Sequence, residues 1–493
     1  MDKTQVFNQL FVGGDLSGIQ RFLYNISSKK AAVSLKGRSY YLRQLMENVC
    51  ADIRQAAEAN GAKAVEVIYS SGGKFYLLTD NTPQIVQAVE TCAKQAKKKL
   101  WEEHRGQLGL NVSHVPFNEN LDGTVDCQDA PRQKPGYLWK LVNADFAHQK
   151  NQKFKELLTE SYPDFFEPIP VGGKPKVCAI TGVESPDCVK MLTDGKDGEM
   201  YVLPSVRQQI QLGEELRMQE GFKTFEEYAG NTYLGILRMD IDGLGKRFIE
   251  GFDSIDKYKA FSKRLVDFFE GDIKKIQQEP VFKPYLNIIY AGGDDLFVVG
   301  RWDKVVDFAE RIHQETKEHF GDDGISISGG ISIVQQKFPI AKAAELAGEA
   351  EDAAKHFRDG EKNAFCLLGK TVSWNEEFNY VKSFKQQFVT FIKEHGLSKG
   401  ILHKLMLYSS IADRNKLRRK EGKAEDFSYI WHISYYLTRF MKRYESNQSN
   451  RDIFDFCRSL RDREIDYHNG RKLELIALAA RWAELELKDD INN

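Results

Sequence analysis

Asn287-Ile-Ile-Tyr-Ala-Gly-Gly-Asp-Asp-Leu-Phe-Val-Val-Gly300 is the stretch whose reading decides the fold. Apolar runs rich in Ile, Tyr, Phe and Val flank Gly292, Gly293, Asp294 and Asp295, the pattern of a β-hairpin with glycines at its turn. Two adjacent carboxylates at the tip repel each other and add nothing to a strand. They suit a hard divalent cation, Mg²⁺ or Mn²⁺, which takes oxygen ligands and shares them with phosphates. The glycines leave backbone room for a phosphate or a base. An ordinary acidic turn is the competing reading.

Outward from this hairpin, the chain repeats itself. Residues 8–24 predict a strand ending at Asp15, a turn at Ser17-Gly18 and a helix start. Helical periodicity over 38–60 (Tyr41, Leu42, Leu45, Met46, Val49) stops at Asn60-Gly61. A second glycine-tipped hairpin follows at 65–78, then a helix opened by Pro83 and a strand over 108–115. Residues 234–334 run through the same order: strand and turn, helix 258–276, the opening hairpin, helix 303–320 and strand 325–334. Two β-α-β-β-α-β units make an internal duplication, each copy ferredoxin-like.

The copies differ where chemistry would occur. Copy two has Asp240 and Asp242 at the end of its first strand and Asp294-Asp295 on its hairpin. Adjacent strands would gather three or four carboxylates, a set suited to metal ions in phosphoryl transfer. The matching positions in copy one are read as Asp15, Ser17, Lys74 and Phe75. Copy one therefore either binds a nucleotide without metal or is purely structural.

The rest of the chain sets bounds. Its 493 residues allow several domains, and 42% hydrophobic with 29% charged residues is ordinary for a globular protein. A net charge of −1 means that any basic surface is local. Seven scattered cysteines suit a reducing cytoplasm, and neither a signal peptide nor an apolar run long enough to span a membrane is read. Residues 116–136 read as loop, and prolines at 163, 168, 170, 175, 186 and 204 mark a linker or small inserted domain. Cys178 and Cys188 lack the second cysteine of a knuckle, so no zinc is expected. Lys355, on an Ala-rich helix, and Lys362 are within reach of nucleotide phosphates or are simply solvated. From Trp374 onward the pattern predicts a helical bundle, with a basic run, Arg414–Lys423, in a loop that either meets RNA phosphates or is solvated. The expected architecture is α+β: ferredoxin-like domains at 1–115 and 231–372, an insert at 116–230 and a helical domain at 373–493.

Certain motifs together resemble one family. They are Gly14-Asp-Leu-Ser-Gly-Ile-Gln-Arg-Phe22, Leu35-Lys-Gly-Arg-Ser-Tyr-Tyr-Leu42, Ser71-Gly-Gly-Lys-Phe75, Leu237-Arg-Met-Asp-Ile-Asp-Gly-Leu-Gly245, Gly292-Gly-Asp-Asp295 and Ser328-Gly-Gly-Ile331. The chain resembles the large polymerase- and cyclase-like subunit of type III CRISPR effector complexes of the Csm type. By this resemblance the domains at 1–115 and 231–372 are palm domains, the first degenerate and the second catalytic. The resemblance implies that target RNA switches on synthesis of cyclic oligoadenylates from ATP, with other effector subunits, CRISPR RNA and target RNA as partners. It implies that Asp240, Asp294 and Asp295, with Asp242, hold the metals and that Gly292 and Gly293 lie under the ATP. Ser17, Gly72, Gly73 and Lys74 would line the second nucleotide, and Ser328, Lys355 and Lys362 complete the nucleotide-binding set. Many members begin with a histidine-aspartate nuclease domain. The first palm here starts close to Met1, so that nuclease activity is not expected.

Three rival readings remain in view. One is AMP transfer to an acceptor other than ATP. Another is a GTP-using cyclase, which the unequal internal pair argues against. The third is a non-catalytic scaffold, which four retained carboxylates argue against.

Overall fold

The apolar strands flanking each glycine-tipped hairpin pair into two six-stranded sheets. The protein is seen in a computed structural model that describes residues 6–128, 130–160, 162, 174–192, 198–445, 451–465 and 470–492. The first sheet takes β1 (Gln9–Ser17), β2 (Glu66–Ser71), β3 (Lys74–Asp80), β4 (Gly109–Glu119), β5 (Val125–Cys127) and β6 (Ala130–Gln133), in the order β2-β3-β1-β4-β5-β6. Four short strands follow: β7 (Lys176–Val177), β8 (Glu184–Ser185), β9 (Val189–Leu192) and β10 (Glu199–Val202), paired as β7-β8 and β9-β10. The second sheet takes β11 (Tyr233–Ile241), β12 (Leu286–Gly292), β13 (Asp295–Arg301), β14 (Ile327–Gln335), β15 (Ala364–Leu367) and β16 (Lys370–Ser373), in the order β12-β13-β11-β14-β15-β16. The first four places of the two orders correspond, so the ferredoxin-like palm is present twice. The copies diverge afterwards. β4 meets β5 antiparallel, whereas β14 meets β15 parallel, after the helix Ile340–Lys355.

The chain divides into two compact units, one of residues 1–230, 234–327 and 334–348, the other of residues 231–233, 328–333 and 349–493. In the first unit, β1 is buried along nearly its whole length, which explains its near-continuous apolar run. Leu10, Val12 and Leu16 share a core with Val49 and Ile53 of the helix Ala31–Ala59 and Val89 of the helix Pro83–His104. Phe11 instead meets Trp139 of the helix Gly136–Asn151 at a ring separation of 4.6 Å. Trp139 in turn stacks on Tyr258 at 4.2 Å, so aromatic packing ties the first palm to the helix Ile255–Val266 of the second.

The Leu35–Leu42 motif serves a helix crossing and a cap. A Cβ on Gly37 would lie 1.8 Å from the Gln209 carbonyl oxygen, and one on Gly213 would lie 2.1 Å from that of Val33. The bare glycines let the helices Ala31–Ala59 and Pro204–Glu220 cross in backbone contact. Buried Arg38 donates to the Phe22 and Asn25 carbonyls and to Gln209 Oε1, satisfying carbonyls that the short helix Ile19–Tyr24 leaves open.

Two expectations are corrected. The Pro-, Asp- and Asn-rich stretch 116–136 predicts loop, yet it completes β4 and supplies β5 and β6, so the first sheet runs on to Gln133. Pro116 is tolerated because β5 pairs only with Phe117, Asn118 and Glu119, leaving β4 without a second neighbour at Pro116. Pro131 sits on the edge strand. The basic run 414–423 is not a loop either: the helix Gly400–Lys420 carries most of it, since Arg and Lys favour helix and no breaker comes before Gly422. Of the insert's prolines, Pro163, Pro168 and Pro170 lie outside the described residues, and Pro204 opens the helix Pro204–Glu220. Cys178, Ile180, Cys188 and Met200 of the insert are buried with Val33, Leu35 and Ile210.

In the second unit the expected bundle is formed by the helices Asn379–Glu394, Gly400–Lys420, Ser428–Met441, Arg451–Ser459 and Arg471–Asn492. Arg471 binds Glu377 and Glu474, and Lys370 binds Glu474 and Asp413, tying β16 to the bundle.

The helix crossing is directly testable. Gly37→Ala drives a methyl into a backbone oxygen and should destabilise the protein by about 2 kcal/mol or more. Gly245→Ala, where nothing lies within 4 Å of the added carbon, should be neutral or slightly stabilising. Thermal melting of both variants checks this; equal melting temperatures would contradict the crossing.

Candidate active site

Strand register brings the acidic residues together. β11 and β13 pair antiparallel with Asp240 opposite Asp295, and β12 pairs with β13 with Gly292 opposite Asp295. Gly293 and Asp294 are therefore the two turn residues. The Asp294 carbonyl accepts the Ile241 N–H at 3.1 Å, fastening the turn to the end of β11. Asp240, Asp294 and Asp295 each offer a carboxylate oxygen, and these lie within 4.8 Å of one another. All three side chains are half-buried. Three anions this close repel strongly unless a cation joins them, and an all-oxygen donor set is what Mg²⁺ and Mn²⁺ take. The residues present fit such an ion.

Asp242, expected among the ligands, is not in this group. Its carboxylate accepts the Ser326 hydroxyl at 2.7 Å, and its N–H donates to the Ser326 carbonyl at 2.9 Å. It lies beyond the end of β11, where the chain already turns toward the next helix.

Register also corrects the match between the copies. In the first palm Asp15 lies opposite Lys74, and Ser71 pairs with Lys74. Lys74 is thus the counterpart of Asp295, and Gly73, not Lys74, the counterpart of Asp294. The turns differ in kind. Gly72 and Gly73 have φ of 59° and 79°, as in a type I′ turn, whereas in the second palm only Gly293 is positive, at 72°, as in type II′. Only the second form admits an ordinary L residue at its second position, which is where Asp294 stands.

Asp15 is the one acid the first palm retains at these positions. It is buried, with Lys150 Nζ 2.8 Å and Asn111 Nδ2 3.3 Å from its carboxylate. A lysine thus occupies the charge role that a metal would fill beside Asp240. Sequence reading missed Lys150 because its helix lies in the stretch taken for a linker.

The two hairpin turns meet. A Cβ on Gly72 would lie 2.7 Å from the Gly293 Cα, and one on Gly293 would lie 3.0 Å from the Gly72 Cα. Gly292 and Gly293 are buried against Ser71, Gly72 and Tyr69, so the other hairpin fills the space that their side chains would take. Burial, with Asp294 among the nearby charges, pushes the Tyr69 and Tyr76 phenols well up, so both stay protonated beside the acidic turn.

The remaining expected residues are dispersed. Lys74 is exposed, and the Ser17 hydroxyl donates to the Gly109 carbonyl at 3.0 Å. Ser328 is fully buried and its hydroxyl accepts the Ala364 N–H at 3.4 Å, inside the sheet. Lys355 pairs with buried Glu351 at 2.6 Å. Lys362 is half-buried in a turn at φ 57°. Ser71, Tyr69, Glu270 and Lys150 border the two acidic strand ends without having been expected there.

Paired palms of the polymerase and cyclase type, one acidic and one not, define the class of protein. The sequence agrees with a more specific assignment: Cas10/Cmr2, second palm domain, matches residues 233–366, and Csm1 subunit domain B matches residues 8–168. The chain belongs to the Cas10/Csm1 family of type III-A CRISPR large subunits. It is 28% identical over 472 residues to the CRISPR system single-strand-specific deoxyribonuclease Cas10/Csm1 (subtype III-A) of Enterococcus italicus, covering 82% of this chain and 61% of that protein. It is 24% identical to the protein of the same description from Mycobacterium tuberculosis, covering 81% and 59%. The chain thus spans about three fifths of the length of these curated relatives. Among solved structures, it is similar to a Csm1-Csm4 cassette in complex with pppApA (TM-score 0.65, 19% identity, 96% of this chain and 69% of that one). A cassette in complex with one ATP gives TM-score 0.65 and 20% identity, covering 96% and 70%. At that identity the likeness is one of fold. No described helix is long and apolar enough to cross a membrane.

Metal binding separates the ligands from the bystander. Asp295→Asn should weaken Mn²⁺ binding at least tenfold, measured by electron paramagnetic resonance, whereas Asp242→Asn should change it by less than about threefold. Equal losses would contradict the three-carboxylate assignment.

Proposed function

We propose that this chain is the nucleotidyl-transferring subunit of a type III RNA-guided effector, making cyclic oligoadenylates from ATP when target RNA is bound. The observation that carries this reading is the asymmetry at the paired turns: three carboxylates within 4.8 Å on one palm, and a lysine-answered aspartate on the other. The solved Csm1-Csm4 cassettes in complex with ATP, pppApA, cA3 and cA4 support the substrate and product class for this fold.

In the reaction, the 3′-hydroxyl of one adenylate attacks the α-phosphate of an ATP, a P–O bond forms, and pyrophosphate leaves with the broken bond's electrons. Repetition lengthens the chain, and attack of its terminal 3′-hydroxyl on the α-phosphate of its own 5′-triphosphate, with loss of a further pyrophosphate and the hydroxyl proton, closes the ring. Asp240, Asp294 and Asp295 would hold Mg²⁺ or Mn²⁺, which would supply positive charge to the phosphates and lower the hydroxyl's pKa. The first palm, whose Asp15 is answered by Lys150, keeps its edge free of a competing metal. Exposed Lys74, at the register position of Asp295, would meet phosphates of the second nucleotide. Tyr69 and Tyr76 stay protonated near the acidic turn, the Tyr76 hydroxyl donating to Asn143 Oδ1 at 3.3 Å. The partners implied are a Csm4-like subunit, CRISPR RNA and target RNA, in the cytoplasm. The deoxyribonuclease activity in the relatives' names is not assigned to these residues.

The test is the assembled effector complex with target RNA, Mg²⁺ or Mn²⁺ and α-labelled ATP. The expected result is a 3′–5′ linked adenylate product that depends on target RNA and falls at least about a hundredfold with Asp295→Asn. Product only after adding another small molecule would make the acceptor something other than ATP. No product from the wild type, with the Asp295 change silent, would leave a scaffold.

A further inference from the structure

Ser71 and Glu270 lie outside the carboxylate group yet reach its turn. Ser71 ends β2 in the first palm. Its hydroxyl accepts the Gly293 N–H at 3.0 Å and donates to Glu270 Oε1 at 2.7 Å. Glu270 belongs to the second palm, in the π-helical turn Asp267–Asp272, a local widening of a helix that often marks functional positions. Its Oε2 lies 3.5 Å from Arg43, which returns to the first palm. Arg43, Glu270, Ser71 and the Gly293 N–H thus form one chain of contacts that crosses between the palms three times.

The polarity of this chain is fixed by chemistry. An ionised carboxylate only accepts, so the Ser71 hydroxyl must give its single proton to Glu270. Its lone pairs then face the Gly293 N–H, which sits in the residue directly before Asp294. Bare glycine backbones at Gly72 and Gly293 bring the turns together but carry no side chain to set their relative position. The hydroxyl supplies that directional constraint, and the carboxylate orients the hydroxyl.

We propose that Ser71 and Glu270 are positioning residues that fix the acidic turn of the second palm against the hairpin of the first. Its activity arm rests on the nucleotidyl-transfer reading; its metal arm does not. Neither residue touches the reacting atoms, so their loss should act on the placement of Asp294 and Asp295 and leave ATP affinity alone.

The experiment compares wild type, Ser71→Ala, Ser71→Thr and Glu270→Gln in the assembled complex, measuring Mn²⁺ affinity by electron paramagnetic resonance, kcat and KM for ATP, and the melting temperature. Ser71→Ala should lower kcat by about tenfold or more with KM within twofold, and weaken Mn²⁺ binding several-fold. Ser71→Thr, which keeps the hydroxyl, should restore both, and Glu270→Gln should fall between. If Ser71→Ala lowers only the melting temperature and leaves kcat and Mn²⁺ affinity at wild-type values, the residues are merely structural and the proposal is overturned. Should the wild type make no adenylate product, the nucleotidyl-transfer reading fails. Mn²⁺ affinity then decides this proposal by itself: a loss in Ser71→Ala with recovery in Ser71→Thr supports it, and no difference overturns it.

Discussion

The arrangement of the first compact unit depends on a contact between two backbones. Gly72 and Gly293, each at the turn of a hairpin, approach so closely that a methyl group on either would meet the other's Cα. Both need positive φ for their turns, and both need the absence of a side chain for the contact. One residue type meets both demands. The consequence is that the acidic turn of one palm is built against the other palm and not displayed alone. Aromatic packing of Trp139 on Tyr258 holds the same two palms on a neighbouring surface.

From that contact the division of labour follows. Duplicated sheets would give duplicated sites if the turns were alike. The first palm's turn has positive φ at both residues and so takes two glycines; the second palm's turn has it at one and admits Asp294. Asp295 is replaced by Lys74, and Asp15 is answered by Lys150. Each difference removes negative charge from one side of the pair and leaves it concentrated on the other. The proposed reaction, with two nucleotides and metal chemistry on one of them, would be served by such an asymmetry.

Much of this was legible in the sequence. The two Gly-Gly turns between apolar runs, in the same element order, disclosed the duplication, because strand alternation and turn chemistry are local signals. The grouping of Asp240, Asp294 and Asp295 was legible because neighbouring strands bring the end of the first strand and the hairpin tip together. What the glycines were for was not legible: the room they leave is taken by another part of the chain more than 200 residues away. The same holds for Ser71 and Glu270, an ordinary strand serine and helix glutamate until tertiary packing joins them. Asp242 was expected beside Asp240, Asp294 and Asp295 because two residues along a strand share a face, but the strand has ended by then and its carboxylate accepts the Ser326 hydroxyl. The strands at 116–133 were hidden because prolines are permitted where a strand lacks a neighbour, a fact that only the pairing reveals.

The central claim is that metal chemistry belongs to one palm and is excluded from the other. Anomalous scattering from Mn²⁺ in crystals of the assembled complex soaked with a non-hydrolysable ATP analogue tests it most directly. The account predicts density bounded by Asp240, Asp294 and Asp295, with none at Asp15. Manganese at Asp15, or at Asp242 in place of the three, would contradict it.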